Sequence, residues 1–133
     1  MITPKASDFI YQIIGAAYEV QHEIGYGLLE AVYNEAMCME LQKRNVNVQS
    51  EVEVPIYYKG EKMKKRYRLD LLCENIIIEL KVADALTSEH RFQLFNYMRL
   101  TNMQYGLLIN FGKKMVESER YQLDMETRKV TYF

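Results

Sequence analysis

Asp70, Glu79 and Lys81 are the residues whose chemistry stands out, because they interrupt two apolar runs, Leu-Asp-Leu-Leu-Cys and Ile-Ile-Ile-Glu-Leu-Lys, that are separated only by Glu74-Asn75. With Glu74-Asn75 as the loop of a tight β-hairpin, Cys73 faces Ile76, Leu71 faces Ile78 and Asp70 faces Glu79. Side chains alternate along a strand, so this register puts Arg68, Asp70, Leu72, Ile77, Glu79 and Lys81 on one face. Leu69, Leu71, Cys73, Ile76, Ile78 and Leu80 share the other, which is purely core. Two carboxylates directly opposite, with Cβ atoms about 5 Å apart, repel unless a cation lies between them. A divalent metal resolves the conflict, and Mg²⁺ wants hard oxygen ligands with only one or two carboxylates from the protein. Lys81, about 7 Å along the strand from Glu79 on the same face, is placed to bind a scissile phosphate or orient an attacking water.

The same four charges, Arg68, Asp70, Glu79 and Lys81, also suit a cross-strand ion-pair ladder on a solvated face. Context favours a site. An Ile-Ile-Ile run entering Glu79 reads as a central strand, and charges at the end of a buried strand are harder to explain than charges on an edge.

The elements that must position these residues are legible in the pattern. Thr3 or Ser7 caps a first helix over about 8–23, with Ile10, Ile13, Ile14, Ala17 and Ile24 at helical spacing. Gly25-Tyr26-Gly27 stops it, and a second helix runs over about 28–44 with Leu29, Val32, Tyr33, Ala36, Met37 and Leu41 as its apolar side. Glu30 borders that side, and its carboxylate can point along the packed face towards the sheet. Residues 49–58, 63–73 and 76–82 form a three-stranded antiparallel meander. Thr87 or Ser88 caps a third helix to about 100, and 104–111 is a buried strand, parallel beside 76–81 through the helical crossover. Residues 119–123 and 129–132 close the fold as a hairpin or edge strand. On the third helix His90, Gln93 and Tyr97 form one polar stripe near the end of the Glu79-Leu80-Lys81 strand. Gln93 there can bond a substrate or a bound water, and Tyr97 a phosphate or base, while the bare pattern equally suits His90 and Gln93 as exposed polar residues with Tyr97 packed at the rim.

A chain of 133 residues with 49% hydrophobic and 26% charged residues reads as one soluble domain over 1–133. No stretch approaches the roughly 18 apolar residues of a membrane span, and the amino terminus shows no apolar signal core. Cys38 and Cys73 lack metal-finger spacing, so a reduced, cytoplasmic setting is expected. A net charge of −1 argues against an avid, non-specific nucleic-acid binder. Local charge differs: Lys62, Lys64, Lys65, Arg66 and Arg68 crowd the strand leading into Asp70, either as edge protection or as phosphate contacts.

Taken together, Gly27-x-x-Glu30-x-x-Tyr33, Asp70, Glu79-x-Lys81, Gln93-x-x-x-Tyr97 and Gly106-Leu-Leu-Ile-Asn-Phe-Gly112 resemble the GxxExxY proteins, a branch of the PD-(D/E)XK nuclease-like superfamily. The resemblance spans about 25–112. It implies an α/β (α+β), restriction-endonuclease-like core of N-terminal helices, meander, crossover helix and further parallel strand. It also implies a site of Glu30, Asp70, Glu79 and Lys81 holding Mg²⁺ or Mn²⁺, with a backbone carbonyl from Leu80 and support from Gln93. Arg68, Tyr33, His90 and Tyr97 are the expected substrate contacts. The implied chemistry is phosphodiester hydrolysis on nucleic acid, DNA first, in DNA maintenance or defence, with a second copy or a protein partner compatible. Leu69 departs from the proline that many relatives place before the aspartate, a change that touches strand shape rather than chemistry. The competing expectation is a non-catalytic nucleic-acid- or protein-binding module that keeps the fold.

Overall fold

Thr3 nucleates the chain's first element: its hydroxyl oxygen accepts from the Ala6 amide at 3.2 Å, and Pro4 occupies the first helical position. The computed structural model describes residues 2–133. Helix α1 (Pro4–Ile24) therefore begins four residues before the expected start at 8, and buries Ala6, Ile10, Ile13, Ala16, Ala17 and Val20. Helix α2 (Glu30–Lys43) buries Tyr33, Met37 and Leu41. Leu29 and Val32, expected on its apolar side, are 77% and 42% exposed, because Leu29 is the extended residue before the helix and Val32 turns away from α1.

Strands β1 (Gln49–Tyr58), β2 (Glu61–Cys73) and β3 (Ile76–Lys81) precede helix α3 (Ser88–Thr101), and β4 (Tyr105–Asn110), β5 (Glu117–Leu123) and β6 (Val130–Tyr132) follow it. They make one six-stranded sheet in sequence order, antiparallel throughout except where β3 pairs β4 in parallel, from Ile76↔Tyr105 to Lys81↔Asn110. This is the expected meander and crossover, extended by a two-strand tail.

The central strands β3 and β4 are buried on both faces. Helices α1 and α2 cover Leu71, Cys73, Ile76, Ile78, Leu80, Leu107 and Ile109, and α3 covers Leu69, Ile77 and Leu108 with its own Leu94, Tyr97 and Met98. Each such Leu or Ile contributes about 1.5–3 kcal/mol over an exposed one. Gly106 lets α3 sit close: a Cβ there would lie 2.6 Å from Met98 Sδ and 2.9 Å from a Leu94 methyl. The helix that carries Gln93 and Tyr97 is thus seated hard on the strand next to β3.

The β2–β3 ladder runs Cys73↔Ile76, Leu72↔Ile77, Leu71↔Ile78 and stops. The register is the expected one, but Asp70 and Glu79 are not ladder partners. Leu69 packs under α3, whereas Leu71 packs under α1 and α2, so the alternation slips by one at Asp70. Across from it, Glu51 lies in the left-handed region with φ 52°, between the pairs Ser50↔Leu71 and Val52↔Leu69. Leu69 therefore leaves the apolar face assigned to it.

Candidate active site at the parting of two strands

Asp70 is the reason the strands part. Its Oδ2 accepts from the backbone amide of Leu80 at 2.8 Å, so a side chain takes the β3 donor that a further ladder bond would use. From α2, Asn34 Nδ2 donates to the Asp70 carbonyl at 3.1 Å, and Asn34 Oδ1 accepts from Ser50 Oγ at 2.5 Å. One amide side chain thus ties the helix to both strands beside the irregularity.

Glu79 is only 3% exposed, and its Oε1 has no hydrogen-bond partner among the described residues. Burial and then the neighbouring Asp70 charge push its carboxyl up to about 9, against an opposing pull from Lys81. A buried carboxylate beside a second one is costly unless a cation compensates both. Lys81 Nζ donates to Gln93 Oε1 at 2.8 Å, and Gln93 Nε2 donates to the Tyr97 hydroxyl at 3.2 Å. The Tyr97 ring packs 4.8 Å from that of Tyr67, and its hydroxyl is raised by burial and by the charges of Glu79 and Asp70. The ammonium is therefore tethered by a chain of polar groups rooted in α3.

Glu30 is the first residue of α2 and lines a cleft of about 170 Å³ with Ala31, Asn34, Glu51, Asp70 and Leu80. Its place is set by the preceding loop, where Gly25 and Gly27 take φ of 82° and 83° and the Gly27 amide donates to the Phe111 carbonyl at 2.9 Å. Tyr33 locks that loop, with its hydroxyl donating to the Gly25 carbonyl at 2.8 Å and accepting from the Leu28 amide at 3.2 Å. Its ring is fully buried and stacked on Phe111 at 4.3 Å. Tyr33 is thus not the substrate contact expected of it. It is the staple that positions Glu30.

His90 and Arg68, also expected to touch substrate, stand away from Glu79. His90 completes a capping box, its Nδ1 accepting from the Thr87 amide at 3.1 Å while Thr87 Oγ1 accepts from the His90 amide at 3.3 Å, which accounts for the residue without a ligand. Arg68 lies beyond the slip at Asp70, so it points to the face opposite Ile77 and Glu79 rather than sharing it, and sits 3.5 Å from Glu53 on the surface.

Asn34 and Glu51 escaped the sequence reading, and Asn110 entered it only as a member of the Gly106 to Gly112 run. Asn110 is fully buried and bonds both the amide and carbonyl of Ala83, at 3.0 and 2.9 Å, bracing the segment between Lys81 and α3. Its only sequence signal was a polar residue ending an apolar strand. Asn34 and Glu51 had none, since their roles exist only through contacts with distant elements.

The donor set is all hard oxygen: the carboxylates of Asp70 and Glu79, with the Leu80 backbone between them and Glu30 in the cleft that Asp70 lines. Among the described residues, no three His, Cys, Asp or Glu side chains are already grouped so as to hold an ion. Two carboxylates with a partnerless buried oxygen still fit a Mg²⁺- or Mn²⁺-like cation, which commonly takes no more from a protein.

Residues 7–122 match the family model of the PD-(D/E)XK nuclease superfamily. The chain belongs to that superfamily. Its members generally use divalent metal ions and act on nucleic acid, in keeping with the oxygen-rich cleft. No curated protein matches the chain. Among solved structures, one described as "Crystal structure of SSO0001" is 24% identical with a TM-score of 0.57, covering 73% of this chain and 53% of that one. The chain thus spans about half the length of that neighbour, and the likeness supports the restriction-endonuclease-like fold of three helices on a mixed six-stranded sheet. Among the described residues no helix is long and apolar enough to cross a membrane.

Proposed function

We propose that this member of the superfamily is a metal-dependent nuclease that hydrolyses phosphodiester bonds, using Asp70, Glu79, Lys81 and Glu30. The observation that carries this reading is the buried, partnerless oxygen of Glu79 beside Asp70, with a tethered ammonium next along the strand. A sheet ladder or a passive scaffold has no use for a carboxyl buried against a second one. The Gly27, Glu30 and Tyr33 loop supports a place in the GxxExxY branch.

Asp70, Glu79 and the Leu80 carbonyl would hold Mg²⁺ or Mn²⁺, with Glu30 reaching in from α2. Such an ion supplies Lewis acidity towards the phosphate and its attacking water. The chain's own residues do the rest. Lys81 keeps one N–H on Gln93 and has two more to offer a phosphate oxygen or the water, so it places the nucleophile and offsets charge gathering at phosphorus. Gln93 and Tyr97 fix the direction of that ammonium. Asn34 holds the Asp70 backbone, and the Leu80 amide aims the Asp70 carboxylate.

The test is a cleavage assay over single-stranded, duplex and branched DNA and over RNA, with Mg²⁺ or Mn²⁺. Glu79→Ala and Lys81→Ala are each expected to lower the rate at least ~100-fold. No cleavage of any substrate by the wild type, or cleavage that persists in both variants, overturns the reading.

A further inference from the structure

The chain's charge is unevenly spread. Residues 57–68 hold six Lys or Arg and one Glu, a net of +5, and since the whole chain carries −1 the remainder carries −6. Every residue from 57 to 66 is exposed. Successive strand residues point to opposite faces, so neither face of this end of the β1–β2 hairpin is covered by a helix. Nor does β3 cover its edge, because the β2–β3 ladder begins only at Leu71. What remains is a free two-stranded ribbon about 17 Å long, by the rise of Glu61 to Arg66.

Along β2, Lys62, Lys64, Arg66 and Arg68 occupy alternate positions, about 7 Å apart where the strand is regular, across a register shift opposite Pro55 to Tyr57. Tyr57 pairs with Lys62 across the ribbon and is 59% exposed. Arg66 and Arg68 touch Glu53 only at 3.4 and 3.5 Å on the surface, pairs of the kind that a phosphate displaces readily. Lys62 and Lys64 have no carboxylate partner among the described residues. The row ends two residues before Asp70.

We infer that the β1–β2 ribbon is a duplex-DNA grip, inserted in the major groove so that its basic row neutralises phosphates and delivers the backbone to the cleft at Asp70. The inference rests on the nuclease reading and adds the surface that seats its duplex. An antiparallel ribbon fits the roughly 12 Å width of the B-form major groove, whereas the A-form groove of duplex RNA is too deep and narrow to admit it. The acidic remainder of the molecule repels a duplex elsewhere, so the approach is oriented by charge.

Binding is measured by fluorescence anisotropy in EDTA, so that no cleavage is required, with labelled duplex DNA, the same sequence as single strand, and duplex RNA across a salt series. The expected result is a preference for duplex DNA that falls at least ~10-fold in the Lys62→Ala/Lys64→Ala/Arg66→Ala protein, with the salt slope reduced by about 2.7 for three lost phosphate contacts. Melting is followed in parallel, and since these side chains are exposed the triple variant should keep the wild-type transition. A Lys5→Ala/Lys43→Ala/Lys129→Ala protein makes the same charge change at exposed positions elsewhere and should bind as the wild type. Equal loss in both triples, unchanged binding in the first, or a preference for RNA or single strands overturns the grip. A self-association that the first triple abolishes, without a DNA effect, assigns the ribbon to a second copy instead and likewise overturns it. Failure of the nuclease reading shows separately, as duplex binding that depends on the ribbon with no metal-dependent cleavage.

Discussion

Glu79 concentrates the tension of the site in a single side chain. It is 3% exposed, faces Asp70 from β2, lies near the Tyr97 hydroxyl from α3 and has Lys81 two residues along its own strand. Its carboxyl rises from an ordinary 4.5 to about 9, so between those values the folded state holds a proton that the unfolded chain has released. Stability of the metal-free protein therefore falls as pH rises through that window. Glu79→Gln removes the titration and the latent charge, and at pH 7 it should stabilise the metal-free protein by about 1–3 kcal/mol while abolishing cleavage. Melting curves from pH 5 to 9 check this: the gap between variant and wild type should widen with pH, and a destabilised Glu79→Gln protein would contradict it.

Among the elements, the loop entering α2 does the most with the least. Gly27, Glu30 and Tyr33 read in the sequence as a spaced motif, and only the fold separates their roles into a left-handed turn, a carboxylate at the helix start and a hydroxyl that clamps the loop. Tyr33→Phe keeps the stack on Phe111 but orphans the Gly25 carbonyl and the Leu28 amide, at a cost of about 1–3 kcal/mol. Cleavage should fall by more than the loss of folded protein explains, because Glu30 loses its anchor. A variant with wild-type melting and wild-type turnover would remove Tyr33 from the account. The hairpin was equally legible as far as Leu71, since the two-residue Glu74-Asn75 loop fixes which residues face each other. It failed at Asp70, where a carboxylate replaces a ladder bond with the Leu80 amide, an event no alternation pattern encodes.

For the whole molecule, the order of helices and strands and the parallel crossover followed from periodicity and turn chemistry, and they bring the ends of β2 and β3 together under α2 and α3. Asn34 stayed hidden because it acts across elements far apart in sequence, and Asn110 showed only as a member of an apolar run. The molecule divides its charge, a basic ribbon leading to an acidic body, and the cleft lies where the two meet. The chemistry proposed for the cleft depends on a cation shared by Asp70 and Glu79. Isothermal calorimetry with Mn²⁺ at neutral pH tests it most directly. Saturable binding to the wild type that disappears in Asp70→Ala is the predicted result, and no heat with the wild type, or undiminished binding to the variant, would contradict it.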